Sequence, residues 1–188
     1  MGRKEKVGID LGLKDGEKTT LLGLARTTIE SKLKGNEAPE FIPDSDTLKE
    51  NRGAFVSLHR HGNLRGCIGN ITAGKPLYKT IREMALTAAF NDPRFTPLKE
   101  NEFDDLDIEI SVLTPMQQIT DINEIEVGKH GLMIVKDHFS GLLLPQVATD
   151  YGWDRETFLS HTCLKAGLPE DAWKDKDTKI YAFSADVF

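Results

Sequence analysis

Residues 54–70 read AFVSLHRHGNLRGCIGN, and the parsing of this stretch decides how the rest of the chain is read. "GAFVSLHR" and "NLRGCIGNI" predict two antiparallel strands around a tight turn. Side chains alternate along a strand, so Leu64, Gly66 and Ile68 share one face and Arg65, Cys67 and Gly69 the other. Arg65 and Cys67 then stand roughly 6.5–7 Å apart at their backbones. A two-residue Gly62-Asn63 loop would pair Leu58 with Cys67. A three-residue His61-Gly62-Asn63 loop would pair Ser57 with Cys67 and His59 with Arg65. The second register gathers Val56, Leu58, Leu64 and Ile68 on one side, and Ser57, His59, Arg65 and Cys67 on the other. Register follows the buried face, so this is the expected one.

Outward from the hairpin, helices and strands alternate irregularly. Leu21, Leu22, Leu24, Ala25, Ile29 and Leu33 fall largely on one face at helical spacing and predict a first helix over 17–34, stopped by Gly35-Asn36. Residues 36–53, with two prolines and several acids, read as an extended surface connection. Leu77, Ile81, Met84, Ala85 and Ala88 mark a second helix, with Pro76 at its start and Asp92-Pro93 at its end. "LDIEISV" alternates strictly, as in a strand with one wet face. Residues 131–147 predict two strands around His138-Phe139-Ser140-Gly141, with Pro145 and Gln146 ending the second. Asp154 caps a third helix that Gly167 ends. "KIYAFSADVF" predicts a last strand. The fold class is α+β, with mostly antiparallel sheets packed against helices.

The 188 residues carry a net charge of −6, which argues against a broad nucleic-acid surface. Cys67 and Cys163 alone make neither a disulfide framework nor a metal-ligand spacing. No apolar run is long enough for a signal peptide or a membrane span. A cytoplasmic protein with reduced thiols is the expectation. No metal ligand is assigned, because His59-x-His61 is compatible with one but unspecific and His130 and His138 stand apart in turns.

Each candidate residue has two readings. Cys67 is a thiolate nucleophile or redox thiol, with His59 as base and Arg65 as charge stabiliser, or it is a small buried filler. Gly66 and Gly69 leave room beside the thiol, or they serve the hairpin's twist. Asp92 and Arg94 bind a polar substrate, or they stop a helix and bond neighbouring backbone. Asp107, Glu109 and Ser111 do acid–base work or form a solvated strand face. Gln146 hydrogen-bonds a ligand or satisfies a strand end. Trp153 and Trp173 pack the third helix, and Cys163 reads as core.

Leu64-Arg65-Gly66-Cys67-Ile68-Gly69 resembles the signature of the AMMECR-type domain family, whose microbial members are called AmmeMemoRadiSam system protein A. Residues 85–98, 106–115 and 128–169 resemble further blocks of the family in order. They include Asp92-Pro93-Arg94-Phe95, Leu143-Leu144-Pro145-Gln146-Val147 and Lys165-Ala166-Gly167-Leu168-Pro169. The likeness runs from about Leu21 onward, so residues 1–16 are expected to be an extension and 17–188 a single domain. The resemblance implies two lobes, the larger built from both chain ends and the smaller inserted in the middle. It also implies a Memo-like protein and a radical SAM protein as partners. It supplies no settled activity and leaves the cofactor unknown.

Three functions follow as expectations. The first is a small enzyme or enzyme subunit whose hairpin lines a pocket with Cys67 and His59 as catalytic residues. Ser57, Arg65, Gly66, Gly69, Asp92, Arg94 and Gln146 would hold the substrate. The second is a binding or scaffold module that uses the same surface. The third, a nucleic-acid binder, is the least expected.

Overall fold

The computed structural model describes residues 8–188. They form two compact units, Gly12–Leu113 with Val187–Phe188, and Thr114–Asp186 with the described part of Met1–Leu11. Among the described residues no helix is long and apolar enough to cross a membrane.

In the first unit, α1 (Asp15–Leu33) and α2 (Leu77–Phe90) pack on a sheet of β1 (Ala54–Arg60), β2 (Asn63–Asn70) and β3 (Leu106–Leu113). β1 lies in the middle, antiparallel to both neighbours. Leu21, Leu24, Ala25, Thr28 and Ile29 bury one stripe of α1, at the spacing the sequence showed. They meet Leu77, Ile81, Ala85 and Ala88 of α2, and Val56, Leu58, Ile110 and Val112 of the sheet, all fully or almost fully buried. Each large aliphatic side chain so buried contributes about 1.5–3 kcal/mol. Residues 36–53 form the expected connection, apart from one short turn at Thr47–Lys49 that buries Leu48.

In the second unit, β4 (Gln117–Ile119) and β5 (His130–Lys136) flank β7 (Lys179–Val187), and β6 (Phe139–Leu143) pairs with β5. All pairings are antiparallel. α4 (Arg155–Lys165) lies over β5 and β6. Leu132, Ile134, Phe158, Leu159, Cys163 and Ala182 form its core, with Trp153 and Trp173 packed against it. Asp154 caps α4 by accepting from Thr157 N–H at 2.8 Å.

Two local expectations are corrected. The β5–β6 turn is Asp137-His138, because Asp137 takes a left-handed φ of 52° and Phe139 already pairs with Lys136. Pro145 and Gln146 do not end a strand. They open a short helix, α3 (Pro145–Asp150), for which proline's fixed φ suits the first turn.

Candidate functional site

The hairpin register agrees with the expected one over half its length. Ser57 faces Cys67 and Leu58 faces Gly66, but His59 then faces Leu64, and Arg60 faces Asn63. Arg65 is the extra residue of a β-bulge. The loop is therefore two residues, His61-Gly62, with φ of 51° and 78°. Both left-handed values suit the tight hairpin turn whose twist matches the strands. The expected His59–Arg65 pair does not form, and Leu64 leaves the buried side to stand 42% exposed.

Both main-chain groups of Cys67 point away from β1. Its N–H donates to Asp92 Oδ2 at 2.9 Å, and its carbonyl accepts from Arg94 Nη2 at 3.0 Å. Cross-strand residues whose backbones are not bonded to each other bring their side chains closest. Accordingly, Ser57 Oγ donates to Cys67 Sγ at 3.2 Å. β2 is the outer strand here, so Asp92 and Arg94 occupy its open edge where another strand would otherwise pair.

The clamp is internally bonded. Asp92 Oδ1 accepts from Arg94 N–H at 3.1 Å and from its Nε at 2.9 Å, and Oδ2 accepts from Nη2 at 2.7 Å. The Asp92 side chain is 1% exposed and that of Arg94 45%. The Arg94 guanidinium holds the Asp92 carboxyl well below the usual carboxylate range, against the opposing effect of burial. The reading of these two residues as backbone-bonding groups thus describes their contacts.

Cys67 itself is half-buried, and burial pushes its thiol pKa up. Ser57 and Arg94 pull it down, while Asp92 and Glu109 push it up again. Arg94, and not Arg65, is the cation that acts on the thiol. Arg65 is committed to Glu102, to which its Nε and Nη2 donate at 2.9 and 3.0 Å, and Nη2 also reaches the Thr96 carbonyl at 2.9 Å. These hydrogen bonds hold the Glu102 carboxyl down at about 2. Arg65 and Arg94 both lie against the Phe95 ring, at 5.9 and 5.5 Å from its centroid.

The sheet face around Cys67 consists of three cross-strand rows, each with at least one polar side chain. Gly69, Phe55 and Ser111 form one, Cys67, Ser57 and Glu109 the next, and Leu64, His59 and Asp107 the third. Ser57 and Ser111 are buried on it. The space beside the glycines is already taken. A Cβ on Gly66 would stand 2.3 Å from the Ala88 carbonyl of α2, and one on Gly69 would stand 2.2 Å from the Phe55 ring.

Gln146 lies in the other unit, at the start of α3. His130 Nδ1 accepts from Glu126 N–H at 3.1 Å. Among the described residues no group of three or more His, Cys, Asp or Glu is placed to hold a metal. A cleft of about 660 Å³ lies elsewhere in the first unit, between the start of α1 and residues 41–48. None of the sequence-predicted site residues lines it.

Glu109 was a candidate from the sequence, without its partner, whereas Glu102 was not anticipated. Glu109 stands opposite Ser57, and its signal was the alternation of "LDIEIS". Glu102 sits in a short turn, Glu100–Asp105, that carries no periodic signal.

The AMMECR1 family model matches residues 22–188. A protein of Methanothermobacter thermautotrophicus is 45% identical over 92% of this chain and 93% of its own length. Protein PH0010 of Pyrococcus horikoshii is 46% identical over 94% and 91%. The crystal structure described as uncharacterized protein PH0010 superposes with a TM-score of 0.89 at 44% identity, covering 93% of this chain and 92% of that one. With a family model spanning the hairpin, the clamp and both units, and with relatives this similar along nearly their whole length, the chain belongs to the AMMECR1 family.

Proposed function

We propose that the hairpin face is a recognition surface for a partner protein or a small ligand, with Cys67 acting as a positioned neutral thiol. The observation that carries this reading is the state of Cys67. Its two main-chain groups are clamped, its sulfur accepts from Ser57, and burial raises its pKa. A thiolate nucleophile needs the reverse, an exposed sulfur with a depressed pKa. The accessible groups nearby are Leu64 and Arg94, 42% exposed and 45% exposed at its side chain respectively. The Memo-like and radical SAM proteins implied by the family resemblance are the first partners to test.

Iodoacetamide, read site by site by mass spectrometry, should modify Cys67 in the folded chain more slowly than it modifies glutathione near pH 7.5. A faster reaction would overturn the proposal. Leu64→Ser should weaken association with either partner, and Cys67→Ser should leave it intact.

One observation favours a catalytic reading. The register sets His59 opposite Asp107 and Ser57 opposite Glu109 on the face that carries Cys67. A His59→Ala variant that binds normally but abolishes turnover in the assembled system would select that reading.

A further inference from the structure

A second surface lies in the other unit and is independent of the hairpin. Tyr151 caps the C-terminal end of α3, and Gly152 turns the chain with a φ of 64°. That turn folds Tyr151 back over Trp153. Their rings stack at 5.0 Å and 16°, and Trp153 stacks in turn on His161 at 3.9 Å and 4°. Trp153 rests on the core of this unit, which fixes the inner end of the stack. The outer ring, Tyr151, is 71% exposed. An exposed aromatic held rigidly by two further rings loses little freedom when something stacks on it.

The exposed charge around this platform is predominantly acidic. Asp150, Asp154 and Glu156 are exposed within five residues of Tyr151, and Glu124 is exposed in the neighbouring loop. Of the two cations of the region, Lys129 is ion-paired and Arg155 is tied to neutral acceptors of the neighbouring loop, so four exposed carboxylates outnumber one uncompensated cation. Arg155 donates Nε to the Ile125 carbonyl at 3.0 Å and Nη1 to Asn123 Oδ1 at 2.8 Å, while Lys129 pairs with Glu126 at 2.9 Å.

We infer that the Tyr151 platform docks a basic segment of a partner protein, with an arginine side chain stacked on the Tyr151 ring and the surrounding carboxylates facing its charge. A guanidinium is planar, weakly hydrated and cationic, so it satisfies both the ring face and the acidic rim. A nucleic acid would meet the ring as well but would be repelled by the rim.

The test is a titration of the full chain with acetyl-Gly-Arg-Gly-Arg-Gly-amide into the millimolar range. Its glutamine counterpart is the control, and the readout is the indole N–H NMR signals of the two tryptophans. The arginine peptide should move the Trp153 signal saturably and leave Trp173 in place, and the glutamine peptide should move neither. Tyr151→Ala should weaken binding about twofold to fivefold, as expected for an exposed cation–π contact, and Tyr151→Phe should keep it. No saturable shift, an equal shift with the glutamine peptide, or wild-type affinity in folded Tyr151→Ala overturns the inference. So does tighter binding of a single-stranded oligonucleotide than of the arginine peptide. Should Tyr151→Ala fail to fold, the Asp150→Asn, Glu156→Gln double variant decides. Lost affinity there supports docking, and unchanged affinity overturns it.

Discussion

At the scale of single residues, the chemistry around Cys67 turns on which cation serves which carboxylate. Strand parity alone put Arg65 beside Cys67, and one bulged residue sent it to Glu102 instead. A bulge changes no hydrophobic count and leaves no mark in the alternation, so it was not legible. The Asp92–Arg94 clamp was half legible, since a helix-stopping Asp that bonds nearby backbone is ordinary turn chemistry, but its reach across to Cys67 was not. The Arg65–Glu102 pair has a measurable consequence. Folding lowers the Glu102 pKa from 4.5 to about 2, so the unfolded chain binds the proton more tightly than the folded one. The stabilisation is complete above about pH 5 and is lost as pH falls through 4 towards 2; the difference corresponds to about 3 kcal/mol at most. Asp92 acts in the same direction. Glu102→Gln should therefore be less stable than wild type at pH 7 and should lose less stability between pH 5 and 2. Urea unfolding across that range checks it, and parallel loss in the two proteins would refute the assignment.

At the scale of elements, the two glycines of the hairpin separate packing from chemistry. Gly66 lies under the backbone of α2, whose Ala88 carbonyl would be 2.3 Å from an added Cβ. Gly69 lies under the ring of its cross-strand partner Phe55, and Gly131 lies under Phe183 in the same way in the other unit. A ring can rotate aside, whereas a helix carbonyl moves only with its helix. Gly66→Ala should cost about 1–3 kcal/mol, the range for an overpacked core, and Gly69→Ala less. Denaturant midpoints of the two variants give the order, and the reverse order would show that α2 yields more readily than the Phe55 ring. The elements themselves were legible, because α1 and α2 bury one stripe each and β1 and β3 alternate. α3 was not legible because six residues that begin with a proline are too few to show a helical period.

At the scale of the whole molecule, neither unit is a continuous stretch of chain. The last strand leaves the second unit at Asp186, and Val187–Phe188 belong to the first. There Phe188 exchanges two backbone hydrogen bonds with Ile110, donating at 3.0 Å and accepting at 2.8 Å. Its ring also lies 5.2 Å from the Lys18 ammonium of α1. Local pattern carries no information about such a closure, since residues almost eighty apart must meet, and "DVF" reads only as the tail of a strand. Ile110 is fully buried, so its N–H and carbonyl would lose their partners in a structured interior if Phe188 were removed. An unmet buried backbone group costs more than a hydrogen bond contributes. Deleting Phe188 should therefore destabilise the chain by about 1–3 kcal/mol, whereas Phe188→Ala, which keeps both backbone bonds, should cost less. Urea midpoints of the two variants measure the difference. If the deletion and the substitution were equal, the ring and not the backbone exchange would be what holds these two residues in the first unit.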